Sequence, residues 1–231
     1  MENLRKYHKK LEDEELVYVT QKLDGESHKS VYHDGRLYIG SRGQWKREYP
    51  TKPVAEDIIP KIIERGKVQG LSDELIDANV TRTLDRINSW NPSQSKWWSV
   101  VDRYNIRNFC ENNPGLMLYG EIFAHSHNRI VYTLDKGPIR YAAFDILDTK
   151  SQKFLDYDDF LRLCGQYNVP TVPIICKTEY SFNKILELAE TPNLLGPGIS
   201  EGVVVRPFKE RIEPHIGRCV FKLHSSAFLQ L

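Results

Sequence analysis

The apolar positions run first at strand spacing, then at helical spacing, then at strand spacing again. Leu16 to Gln21 is rich in β-branched and aromatic residues and reads as a strand that delivers Lys22 just before Asp24-Gly25, a pair that favours a turn. Val31 to His33 and Arg36 to Ile39 flank Asp34-Gly35, a two-residue hairpin signal, and the second strand runs into Ser41-Arg42-Gly43. From about Pro53 to Asn113 the periodicity is helical, with Ser72-Asp73-Glu74 as a capped start and Pro114-Gly115 as a stop, so an α-helical insert is expected over 53–113. Strands resume at Leu116 to Phe123 and Ile139 to Leu147. Helices are expected near Tyr157 to Tyr167 and Ser181 to Glu190, and further strands at Val172 to Cys176, Gly202 to Arg206 and Arg218 to Leu223. The pattern is that of an α+β chain without internal repeats or low-complexity tracts.

Composition changes this picture little. With 231 residues, 40% hydrophobic and 27% charged, the chain can bury a sizeable core, and a single domain over 1–231 is expected. The first twenty residues are too charged for a signal peptide, and no apolar run has the length to cross a bilayer, so a soluble, cytoplasmic protein with no membrane partner is expected. Cys110, Cys164, Cys176 and Cys219 are scattered, which suits reduced structural thiols better than a zinc cage or a disulfide framework. The formal net charge is +1, so any surface that binds nucleic acid must be local. Arg36, Arg42, Lys46 and Arg47 form one cluster in sequence, and Arg206, Lys209, Arg211, Arg218 and Lys222 another; solvated strand edges and turns account for most of them individually.

The candidate chemistry begins at Lys22-Leu23-Asp24-Gly25, where a lysine at a strand end beside a glycine turn can approach a phosphate that a bulkier turn would block. That string alone has little specificity. The five strings downstream of it add much more by their order: Ser41-Arg42-Gly43, Tyr119-Gly120-Glu121-Ile122, Tyr141-Ala142-Ala143-Phe144-Asp145-Ile146, Glu201-Gly202-Val203-Val204-Val205-Arg206 and Phe221-Lys222-Leu223-His224. This series resembles the covalent nucleotidyltransferase superfamily and, in order and wording, its ATP-dependent polynucleotide ligases, over nearly the whole chain except the helical insert. The string from Lys22 to Ser27 looks most like the RNA ligase branch, since many DNA ligases carry arginine where this chain has Ser27.

The resemblance implies an α+β nucleotidyltransferase domain, an ATP-grasp-like ligase adenylation fold with antiparallel sheets around an ATP cleft. It implies that Lys22 attacks the α-phosphate of ATP and carries AMP covalently, with AMP passing to a polynucleotide 5′-phosphate and leaving when a 3′-hydroxyl attacks. A free lysine is protonated at neutral pH, so such chemistry needs helpers. By the same resemblance Lys222 would lie against the α-phosphate, and Arg42 would hold ribose or phosphate oxygens. Glu121 and Glu201 would flank the nucleotide, one holding ribose hydroxyls and one binding Mg²⁺ or Mn²⁺ or its waters. Phe144 would stack on adenine, with core packing as the competing account. Gln21, Asp24, Gly25 and His224 complete the expected nucleotide-binding set, Asp24 also being explicable as turn chemistry.

Two features depart from the family. Its last motif commonly reads Lys-x-Lys, whereas here His224 takes the second position, supplying a donor without a full charge at pH 7. Only nine residues come after Lys222, so no appended oligonucleotide-binding domain is expected; a minimal ligase, a trimmed catalytic domain, or a subunit helped by a partner protein would each fit. The expected partners are RNA ends or nicked duplex, RNA in preference to DNA. A compact DNA ligase and a nucleotide-binding subunit without turnover stand as alternatives, and a GTP-using capping enzyme behind them. Trp90, Trp97 and Trp98, with Lys96, would stack on unpaired bases or, in the favoured reading, pack against the sheet; His125-Ser126-His127 reads as a polar loop rather than a metal pair.

Overall fold

The structure is a computed structural model that describes residues 1–49, 51–89, 93–124, 126–127, 130–134 and 137–231. Its strands are β1 (Glu2–Asn3), β2 (Leu16–Gln21), β3 (Glu26–His33), β4 (Arg36–Gly40), β5 (Leu116–Phe123), β6 (Ser126–His127), β7 (Ile130–Val131), β8 (Arg140–Asp148), β9 (Lys153–Phe154), β10 (Ile174–Glu179), β11 (Gly202–Pro207), β12 (Ile212–Glu213), β13 (Gly217–Arg218) and β14 (Phe221–His224). The helices are α1 (Leu4–Tyr7), α2 (Ala55–Val68), α3 (Asp73–Asn88), α4 (Ile106–Asn112), α5 (Tyr157–Gln166), α6 (Phe182–Ala189) and α7 (Ser226–Leu229).

Two five-stranded sheets carry the architecture. The first has the order β1-β14-β11-β2-β10 and is antiparallel except for the β1–β14 pair; the second, β4-β3-β5-β8-β9, is antiparallel throughout. Alternation decides which side chains meet which core. In the first sheet Val17, Val19, Val203, Val205, Phe221 and Leu223 point into one apolar cluster with Leu4 and Ile185, while the intervening Thr20, Val204, Lys222 and His224 face the other way. In the second sheet Ile39, Leu118, Ile122, Tyr141 and Ile146 pack with Phe109 of α4 and Phe160 of α5. A smaller cluster of Leu23, Phe123, Tyr132, Ala142 and Val172 lies against Phe144.

Three expected strands change shape. The one expected over Val31 to His33 begins five residues earlier, at Glu26, and its added part pairs with Leu118 to Ile122 of β5. The segment expected as Val172 to Cys176 begins later, at Ile174, because 171–173 is used as a crossover: Ala143 bridges Thr171, the amide of Val172 donates to Ala143 O (2.8 Å) and Gln21 N donates to Pro173 O (2.9 Å). The segment Arg218 to Leu223 is broken at Cys219 and Val220, and the break lets Arg218 finish a hairpin with Ile212 while Phe221 starts β14.

By its contacts the chain divides into one unit of 1–46 and 96–231 and a second of 47–95. The second unit is the pair α2 and α3. Ser72 caps α3 by accepting from the amide of Leu75, and Gly66 lets Ile76 approach α2, since a Cβ there would lie 2.6 Å from Ile76 Cγ1. Residues 96–113, expected within the insert, belong to the first unit, where Ile106, Phe109 and Cys110 of α4 are core residues. Trp97 and Trp98 are half-buried against the same core, their indole N–H groups donating to Ser27 O (3.2 Å) and Lys46 O (2.8 Å). Trp90 and His125 lie outside the described residues. Among the described residues no helix is long and apolar enough to cross a membrane, and all four cysteines are free.

Candidate active site

Lys22 leaves the end of β2, where its amide donates to Gly202 O (2.9 Å), and this bond sets it beside the residue preceding Gly202. The Lys22 ammonium donates to Glu201 Oε1, both side chains being largely buried. Glu201 Oε2 is also buried but has no hydrogen-bond partner. His224, one strand over, brings Nε2 to 3.7 Å from the same Oε1. Gly202 has φ +129°, and a Cβ there would lie 2.1 Å from Leu223 O, so the tight passage of β11 against β14 at this point requires glycine. Two buried serines fix the turn: Ser225 Oγ donates to Ser200 O (2.7 Å), Ser225 N donates to Glu201 O (3.1 Å) and Gly202 N donates to Ser200 Oγ (3.2 Å).

Glu121 comes from the second sheet. It sits opposite Ser27 in the β3–β5 ladder, and Gly25 runs so close to β5 that a Cβ there would lie 2.4 Å from Ile122 O and 2.9 Å from Glu121 Cγ. Burial pushes the Glu121 carboxyl up to about 7, against the pull of the Lys22 charge; Glu201 and Asp24 add to the rise and Arg42 opposes it. Burial likewise raises Glu201, opposed by Lys22 and by Lys222. His224 is lowered by burial and then by the charges of Lys22 and Lys222, which makes it a neutral imidazole at pH 7. Lys22, Asp24, Arg42, Glu121, Glu201, Lys222 and His224, assembled from both sheets, therefore share one electrostatic neighbourhood.

The remaining expected residues have mixed positions. Phe144 is the extra residue of a β-bulge, since Tyr119 pairs with Asp145 and Gly120 with Ala143; it is half-buried against the Leu23–Tyr132 cluster, a place compatible with packing and with an exposed ring face. Gln21 is buried, and its amide is engaged with protein: Nε2 donates to Asn193 Oδ1 (2.6 Å), and Leu194 N donates to Oε1 (2.9 Å). Its side chain pins the 193–195 segment.

One contributor has no motif to announce it. Tyr132 is fully buried, and its hydroxyl accepts from Asp24 N (2.6 Å) and donates to Asp24 O (3.1 Å), clamping the turn after Lys22. Buried Asp145 accepts from Arg218 at 2.6 and 3.2 Å and pairs with Arg206 at 3.4 Å, while Arg218 also holds Glu210 and lies over Phe154. Arg206 and Arg218 are thus committed to internal partners. Leu195, Gly196 and Pro197, with Tyr132, Leu134 and Arg140, line an open hollow of about 550 Å³.

The donor set suits a hard divalent cation only in part. Among the described residues there is no group of three or more side chains able to cage a metal. Glu201 Oε2 is nevertheless a buried oxygen donor without a partner, and two carboxylates completed by phosphate and water oxygens is an arrangement that Mg²⁺ accepts.

Residues 15–224 match the model of a protein family described as RNA ligase. The fold is similar to that of solved Naegleria gruberi RNA ligase structures. An apo mutant has a TM-score of 0.70 at 20% identity, over 99% of this chain and 56% of that one. A mutant with ATP and Mn has 0.67 at 21% identity, over 99% and 55%, and the ligase with PPi has 0.67 at 20%, over 99% and 56%. This chain thus spans little more than half the length of those structures. No curated protein matches it by sequence.

Proposed function

The chain belongs to the RNA ligase family, and from that premise we propose that it is an ATP-dependent RNA ligase that joins 5′-phosphate to 3′-hydroxyl ends through AMP carried on Lys22. The observation that carries this reading is the contact between the Lys22 amine and Glu201, with Lys222 and Glu121 in the same neighbourhood.

An amine attacks phosphorus only after it loses a proton. Glu201 Oε1 is the acceptor in contact with Nζ, and burial has raised its affinity for a proton, so it is placed to receive that proton. The freed nitrogen lone pair forms a bond to the α-phosphorus of ATP, the bond from that phosphorus to the bridging oxygen breaks, and pyrophosphate leaves with the electron pair. Lys222 and Arg42 are assigned to the charge on the phosphates. Glu121 and Glu201 would hold Mg²⁺ or Mn²⁺, which supplies charge neutralisation at the phosphates when bound. An oxygen of an RNA 5′-phosphate then attacks the AMP phosphorus, the phosphorus–nitrogen bond breaks and the Lys22 amine leaves with the electron pair and regains a proton. A 3′-hydroxyl oxygen, losing its proton, attacks the activated 5′-phosphate, and AMP leaves with the electrons of the bond that held it. Phe144, at its bulge, is assigned to adenine stacking, and Asp24 and Gly25 to the turn that aims Lys22.

Family membership favours RNA over the DNA alternative. The survival of the Lys22–Glu201 pair beside Lys222 argues against a subunit without turnover. The test is transfer of label from α-labelled ATP to the protein. Lys22→Ala is expected to abolish it, and Glu201→Ala and Lys222→Ala to slow it by about 10²-fold or more without unfolding the chain. Undiminished labelling of Lys22→Ala would remove the reading.

A further inference from the structure

Side chains directly opposite in an antiparallel ladder share a face. Ser27 pairs with Glu121, Lys29 with both Tyr119 and Gly40, and Val31 with Tyr38, so Lys29 and Tyr38 stand on the face of the second sheet that carries Glu121. β4 is the edge strand of that sheet. Beyond it the chain turns through Ser41 to Gln44 and returns so that Trp45 bridges Gly40, a turn closed by bonds from Ser41 N to Gln44 O (2.8 Å) and Lys46 N to Ile39 O (2.7 Å). Gly40 is what lets the indole lie there: a Cβ would meet Trp45 Cε3 and Lys29 Cε, each at 3.0 Å. Lys29 Nζ sits 4.4 Å from the Trp45 ring centroid, and Tyr38 meets the ring edge-on at 5.8 Å. Yet Trp45 keeps 50% and Tyr38 37% of their surface in water.

We propose that Trp45, Tyr38 and Lys29 form a stacking ledge that grips the RNA strand as it enters the Lys22 site. Exposed aromatic faces beside an ammonium match a polynucleotide, whose bases offer π-faces whatever their sequence and whose phosphates seek cations. The ledge is tied to the proposed nucleotide site at both ends. Ser27 and Glu121 continue its face inward, and the turn that positions Trp45 also carries Arg42, whose carbonyl accepts from Lys29 Nζ (3.4 Å). It supplies locally what a net charge of +1 withholds globally. The inference rests on the ligase reading for the identity of the strand.

Two measurements on the full chain separate the two ideas: fluorescence anisotropy of a dye-labelled, 5′-phosphorylated single-stranded RNA without ATP, and the rate of AMP attachment. Trp45→Ala is expected to weaken RNA binding about tenfold while Trp45→Phe restores most of it. Lys29→Gln is expected to reduce the slope of log affinity against log salt by about one. All three variants should take AMP at the wild-type rate. Trp45→Ala binding RNA like the wild type would overturn the ledge. So would parallel loss of AMP attachment, which would show the ring only holding the Arg42 turn, or a raised KM for ATP with RNA affinity unchanged, which would make the ledge a triphosphate site. A wild type that binds RNA through Trp45 but takes no AMP would leave the ledge standing and remove the ligase reading.

Discussion

Glu201 divides its carboxylate between Lys22 and an empty-handed, buried Oε2, and this asymmetry matters more than the mere presence of two charged side chains. A buried acceptor without a partner costs stability unless something arrives to satisfy it. Another buried titratable group gives a cleaner test of the surrounding core. His28 is buried, its ring pushed down to about 4 from 6.5 by burial, with Nε2 at 3.0 Å from Trp97 O. Between pH 6.5 and 4 the unfolded chain binds more protons here than the folded one, so this contribution to stability is present above 6.5 and is lost as pH falls towards 4. Glu121 works oppositely: raised from 4.5 to about 7, it adds stability below 4.5 that is lost as pH rises through 7. The two partly cancel, so the informative quantity is the difference in unfolding free energy between wild type and His28→Gln. It is expected to change by about 2–3 kcal/mol across that window, and urea titrations at several pH values would read it; a constant difference would contradict the assignment. Tyr132→Phe should cost about 1 kcal/mol and slow AMP attachment by loosening the Asp24 turn, whereas an unchanged attachment rate would make the clamp purely structural. Lys22, Arg42, Glu121, Glu201 and Lys222 were legible because each sits in a short string. Tyr132, 108 residues from its partner Asp24, and Asn193, 172 residues from Gln21, were not, because nothing local marks a side chain whose role is a long-range bond. Gln21 shows the converse, a residue beside Lys22 whose amide holds a loop.

At the scale of elements, the site depends on where strands pass close to one another. Gly202 allows Glu201 to leave β11 beside β14, and Gly25 allows the Lys22 turn to lie on β5. Gly202→Ala combines a φ of +129° with a contact 2.1 Å from a backbone oxygen. It is therefore expected to lower stability by at least about 1–3 kcal/mol and to abolish AMP attachment by displacing Glu201. Thermal unfolding and ATP labelling of the same preparation would check both, and a stable, fully labelled variant would contradict the packing argument. Apolar and β-branched runs revealed β2 and β11, buried along nearly their whole length, and β4, β5 and the Val31–His33 end of β3; the polar start of β3, Glu26 to Ser30, carries no such run. Periodicity misplaced β10 because Pro170 and Pro173 bound a crossover whose backbone groups serve two sheets, Val172 N donating to Ala143 O and Pro173 O accepting from Gln21 N, and it ran β13 into β14 because β-branching at Val220 does not register a turn. The bulge that sets Phe144 apart is likewise invisible, since it is a property of pairing and not of composition.

For the molecule as a whole, a net charge of +1 means that any grip on a polynucleotide must come from small patches. The internal partners of Arg206 and Arg218 remove two of the basic residues that looked available in the C-terminal cluster, leaving the ledge around Trp45 as the stronger candidate. With nicked duplexes whose 3′-hydroxyl strand is RNA or DNA, the RNA-ended nick is expected to be joined faster; equal rates would move the assignment to a DNA ligase. The decisive experiment on Lys22 comes before any nucleic acid is added. The protein is incubated with Mg²⁺ and α-labelled ATP, denatured, and assayed for retained label. A phosphoramidate bond at Lys22 requires label that survives denaturation in the wild type and is absent from Lys22→Ala. Absence of label on the wild type, or equal label on the variant, would contradict it.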